Sequence, residues 1–98
     1  TASSSQHIQS FMSGTRVKFS TRADFGTFLR TLLSLCYQRL ISRIRPGNQL
    51  HTQPEYEIIP AHYTVQKLIT IIGCIMRVYQ VHDTVNENLA LETIRIEL

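Results

Sequence analysis

A chain of 98 residues with a formal charge of +3, 43% apolar residues, 17% charged residues, two cysteines and no tryptophan has material for one hydrophobic core and no second domain. The low charged fraction excludes a disordered polyampholyte, and the length argues against a large multi-step enzyme with a deep, independently walled cleft. Eight of the ten basic residues are arginine, a bias that suits bidentate contacts to phosphate or carboxylate.

In chain order, residues 1–13 are rich in Ser and Gln and read as a flexible N-terminal arm, with Ile8 and Phe11 at a spacing that allows a short docking turn. Residues 14–98 then form one domain. From Thr15 to Ser20, Val17 and Phe19 alternate with Arg16 and Lys18, the pattern of a half-buried strand with a basic outer face. Thr21 followed by Asp24 is a capping box that starts a long helix. Phe25, Phe28, Leu29, Leu32, Leu35 and Cys36 share one face of it. Beyond Cys36 the apolar positions shift to Tyr37, Leu40, Ile41 and Ile44, which predicts that Arg39 and Arg43 project outwards and cluster with Arg45 at the negative end of the helix dipole. Pro46-Gly47 stops the helix.

Asn48 to Pro54 is polar and turn-rich, and Glu55 to Ile59 reads as a short edge strand ending at Pro60. A second helix is expected from about Ala61 to Gln80, with apolar residues over about half of its wheel. Its uncharged run between Lys67 and Arg77 is nine residues, far short of the roughly 20 that span a bilayer. His82-Asp83 and Asn86-Glu87-Asn88 form a polar connection. Ile94, Ile96 and Leu98 then alternate with Thr93, Arg95 and Glu97 as a terminal strand, approached by Leu89 and Leu91. The order strand, helix, strand, helix, strand predicts an α+β fold with two helices packed on a small, mainly antiparallel sheet. Arg16 or Lys18 would then lie opposite Glu92 or Glu97.

Catalysis needs converging groups, and no spacing here supplies them. There is no phosphate-binding glycine loop, no GxSxG elbow and no HExxH. His7, His51, His62 and His82 lie at least eleven residues apart, without a second ligand at metal-binding spacing. Cys36 and Cys74 sit mid-helix, where nothing depresses a thiol pKa, and they read as reduced core thiols of a cytoplasmic or nuclear protein. No enzymatic activity, cofactor, metal or small-molecule substrate is expected.

Function is therefore sought on surfaces. A basic surface of Arg16, Lys18, Arg22, Arg39, Arg43 and Arg45 is the candidate site for a polyanion, either nucleic acid or an anionic membrane. An apolar surface of Ile69, Ile72, Met76 and Tyr79 is the candidate for self-association or a protein partner, because two broadly apolar helices exceed what a small sheet covers. The expectation is a small, non-enzymatic, self-associating interaction protein. A monomeric nucleic-acid binder without sequence preference is the alternative, and a small enzyme the less favoured one.

Several short patterns resemble the core of rhabdovirus matrix proteins: Gly14-Thr15-Arg16-Val17-Lys18, Phe25-Gly-Thr-Phe28-Leu29-Arg30-Thr-Leu32-Leu33, the apolar helix Val65 to Val78, and Thr93-Ile-Arg95-Ile. The proline-rich basic arm of that family is absent here and the chain is shorter. The resemblance implies a virion structural protein that self-associates, condenses a nucleocapsid and contacts the inner membrane surface. It assigns no role to an individual residue.

Overall fold

The computed structural model describes residues 4–45 and 57–98, and the described residues form four helices and no sheet. The α+β expectation is thereby corrected to an all-helical fold. Its central element is the long helix α2, Arg22–Ile44, which starts where the capping box places it: the Thr21 hydroxyl accepts the Asp24 N–H at 3.1 Å. Phe25, Phe28, Leu29, Leu32, Leu35 and Cys36 are all buried along it. The apolar stripe does not rotate after Cys36 as expected. Leu40 continues the buried face, while Tyr37 and Ile44 stand 57% and 55% exposed.

Helix α3, Val65–Gln80, begins later than its apolar content suggests, because Thr64 caps it and accepts the Lys67 N–H at 3.1 Å. It packs antiparallel to α2 through Leu68, Ile71, Ile75 and Val78. The start of α2 meets the turn after α3, with Gly26 against His82, and the end of α2 meets the turn before α3, with Arg43 donating to the Ala61 carbonyl. Of the edge strand expected at Glu55–Ile59, the first two residues and the loop Asn48 to Pro54 lie outside the described residues. Glu57 and Ile58 form a tight 3₁₀ turn that seats the buried Ile59.

The expected terminal strand is helix α4, Glu87–Glu97. Asn86 caps it by accepting the Leu89 N–H at 3.1 Å, and Ala90, Leu91 and Ile94 are buried against α3. Ile96, which strand alternation places inside, is 81% exposed. Spacing of i, i+1, i+4 and i+8 across Ala90, Leu91, Ile94 and Leu98 is helical, and it coincides by chance with alternation over the last five residues.

The first expected strand, residues 15–20, is an irregular segment with no ladder partner among the described residues. Val17 is buried and Arg16 and Lys18 are exposed, so the alternation is real; it reflects burial of every second side chain in a strap laid over the bundle rather than a hydrogen-bonded ladder. Without a sheet, the expected opposition of Arg16 or Lys18 to Glu92 or Glu97 does not arise. Glu92 instead lies 3.8 Å from Arg95 on its own helix.

Residues 4–12, expected within the N-terminal arm, form helix α1, Ser4–Met12. Nine residues are too few for a stable isolated helix. Burial of Ile8 and Phe11, each completely covered, contributes about 1.5–3 kcal/mol apiece and holds the helix on α2, with the Phe11 ring edge-on to Phe28. Gly14 at φ +91° ends α1 in a Schellman motif, in which Thr15 N–H donates to Ser10 O and Gly14 N–H to Phe11 O. Among the described residues no helix is long and apolar enough to cross a membrane.

Candidate protein-interaction surface

The basic candidates divide once the fold is known. Arg22 donates to the carbonyls of His82 and Val85, clasping the turn between α3 and α4 to the start of α2. Arg39 donates from Nε to the Ile59 carbonyl at 3.0 Å, and Arg43 to the Ala61 carbonyl at 2.6 Å. Both therefore turn back onto the segment leading into α3 instead of projecting outwards. Arg95, not singled out from sequence, does the same at the other end: it donates to Phe11 O at 3.0 Å and Thr15 O at 3.4 Å, with its guanidinium 4.5 Å above the Phe11 ring. Four arginines thus supply donors to backbone carbonyls at helix ends and in turns, of which Phe11 O also accepts the Gly14 N–H. Arg16, Lys18 and Arg45 remain exposed.

Two open grooves flank the strap. One of about 270 Å³ is lined by Gly14, Arg16, Val17, Leu91, Glu92 and Arg95 among others, and one of about 430 Å³ includes Lys18, Arg22, Asn86, Glu87 and Asn88. Acidic and basic side chains alternate around both, so neither presents a field of one sign.

Among the described residues, the remaining chemistry-bearing side chains are dispersed or buried. Burial pushes the Cys36 thiol up to about 12, and it raises Cys74 as well, whose Sγ lies 3.9 Å from the Thr93 carbonyl. His82 donates from Nδ1 to the Tyr79 carbonyl at 2.7 Å and stacks on the Tyr79 ring, while its Nε2 faces Asp83 at 3.2 Å. His7 contacts Phe19 and His62 contacts Tyr63, each apart from His82, and His51 lies outside the described residues. Among the described residues no three His, Cys, Asp or Glu side chains are grouped to hold a metal ion.

The apolar candidates do converge. Val65, Ile69, Ile72, Met76 and Tyr79 follow one another at spacings of four, three, four and three, the alternation with which a helix presents a seam to another helix. At 100° per residue they occupy an arc of about 80° on α3. Ile69 and Met76, at 53% and 49% exposure, lie along one side of that arc, the partly buried Ile72 and Tyr79 along the other, and the partly buried Val65 between them. Helices α1 and α4 cover the opposite side of the α2/α3 pair, where Arg95 of α4 reaches the end of α1. On the side that the other described residues leave open, α2 adds the exposed Tyr37 and Ile44 and the partly buried Leu33. Sequence spacing identified the α3 residues; the part played by Tyr37 and Ile44 depended on the direction in which the α2 stripe continues. No protein-family model, curated protein or solved structure matches the chain.

Proposed function

We propose that the chain is a small non-enzymatic structural module that self-associates through the free face of the α2/α3 pair. The observation that carries this reading is the half-exposed Ile69 and Met76 within an apolar seam that runs over 15 residues of α3. No residue of that seam is charged, so two copies meet there without like-charge repulsion despite the net charge of +3. The 16 residues of α3 span about 24 Å, and two helices side by side are about 20 Å wide, so the face measures roughly 500 Å² in projection before side-chain relief is counted. Stable pairs bury roughly 800 Å² per partner, so a second copy has to cover both helices and not α3 alone. The high thiol pKa of Cys36 and the separation of the histidines favour association over catalysis, and the two buried cysteines suit a reducing cytoplasmic or nuclear setting.

A second reading, contact with nucleic acid or an anionic membrane as a matrix-like protein would make, rests on the exposed Arg16, Lys18 and Arg45. It is the weaker one, because three of the six basic candidates are engaged with backbone carbonyls. Light scattering across protein and salt concentrations separates the two. Self-association through an apolar face gives a mass that rises with concentration and persists in high salt, whereas polyanion binding weakens steeply as salt rises. The double variant Ile69→Asp, Met76→Asp is expected to stay monomeric with unchanged helical circular dichroism. A wild-type chain that remains monomeric at its solubility limit overturns the proposal.

A further inference from the structure

Three pairs of exposed apolar side chains share one spacing. Tyr37 and Ile44 on α2, Ile69 and Met76 on α3, and Leu89 and Ile96 on α4 each stand seven residues apart. Seven residues are close to two turns and about 10.5 Å along the axis, the repeat with which helices pack side by side. The first two pairs belong to the free face of α2 and α3. Leu89 and Ile96, 65% and 81% exposed, lie instead on the side of α4 turned away from its buried Ala90, Leu91 and Ile94. Cys74, whose Sγ lies 3.9 Å from the Thr93 carbonyl of α4, stands half a turn around α3 from Val65 of the seam. The α4 face and the α2/α3 face therefore look out from opposite sides of the molecule.

Charge divides in the same way. Helices α2 and α3 together carry six bases and one acid, whereas α4 carries three acids, Glu87, Glu92 and Glu97, and one base, Arg95, which is engaged with the end of α1. Resting on the self-association reading, we infer that the outer face of α4 from a second copy seats in the groove between α2 and α3, so that copies join head to tail. An α4 face has the opposite sign to the helices on which it lies, and a second α2/α3 face does not. One helix laid between two others touches both, so α2 is covered as well as α3. Arg30 stands about 20° from Tyr37 around α2, and the exposed Glu92 about 40° from Ile96 around α4, which brings a base and an acid to the margins of the two apolar surfaces. Because the paired faces differ and point in opposite directions, each added copy leaves a free face at either end, and the assembly grows as an open chain.

The test mixes two variants of the full chain and follows mass by sedimentation. The double variant Leu89→Gln, Ile96→Gln changes only exposed side chains of α4. It is expected to stay monomeric, with unchanged helical circular dichroism, at concentrations where the wild type associates. Mixed with Ile69→Asp, Met76→Asp, which keeps its α4 face, it forms a one-to-one dimer that grows no further, while the wild-type mass rises past the dimer with concentration. Ile96→Gln alone, at the more exposed of the two positions, raises the dissociation constant about tenfold through the loss of one buried side chain. Association of the α4 variants at wild-type strength, a mixture that stays monomeric, or a wild-type chain that stops at the dimer each overturns the head-to-tail contact and leaves the self-association reading standing. A wild-type chain that never associates overturns the reading on which the inference depends.

Discussion

Cys36 is fully covered in the middle of α2, and burial pushes its thiol up to about 12 from an ordinary value of 9.0. Below pH 9 the folded and unfolded chains both hold this proton. Between pH 9 and about 12 the unfolded chain releases it while the folded one retains it, so stability declines with rising pH by up to about 1.4 kcal/mol per unit. Burial also raises Tyr63, which adds to the loss in the same direction at higher pH. Urea midpoints measured at pH 7 and pH 10 should therefore fall further for the wild type than for Cys36→Ala; equal falls would show that this thiol is not the source. The burial of Cys36 was legible in sequence from its place within an apolar stripe. The destinations of Arg39 and Arg43 were not, because a helical wheel gives the angle at which a side chain leaves the helix, and a long aliphatic stem then lets the guanidinium turn back to a nearby carbonyl.

At the scale of elements, these arginines fasten segments that have no ladder of their own. Arg39 and Arg43 hold the turn entering α3, and Arg95 holds the end of α1 and the strap. A hydrogen bond from a charged donor contributes about 1.5–3 kcal/mol. Replacing Arg39 by alanine should lower stability by about that order, with less loss from the more exposed Arg43. Charge reversal at Arg16 or Lys18 should leave the melting temperature nearly unchanged and alter only polyanion affinity. Thermal melts of the four variants check this, and equal destabilisation at all four positions would contradict the division of roles. The capping boundary at Thr21, the buried face of α2 as far as Cys36 and the interior of α3 were all readable from spacing. The terminal segment is a helix because the Asn86 cap, the acidic Glu87 in the first turn and the good helix formers Leu89 to Glu92 favour one, although residues 93–98 alternate as a strand does. The N-terminal segment was hard to read for a different reason: two apolar residues show their weight only when there is a core groove to receive them.

For the whole molecule, a self-associating face couples stability to concentration. Any partner that binds only the folded chain adds stability by mass action, so the wild-type melting temperature should climb with protein concentration while that of Ile69→Asp, Met76→Asp stays flat. Parallel curves would place the apolar face outside the association.

Composition and spacing by themselves determined that α2 is capped by Thr21 and buries its phenylalanine and leucine face, that α3 carries more apolar surface than it buries, and that the chemistry-bearing side chains do not fall into a known catalytic spacing. These depend on local periodicity and on residue type. Only the tertiary structure decided that the alternating segments are a strap and a helix instead of strands, that Arg22, Arg39 and Arg43 bind backbone carbonyls, and that Tyr37 and Ile44 join Ile69 and Met76 on one uncovered face. Each of those depends on which elements lie beside which, and a period along the chain records how often a side chain is buried without recording what buries it.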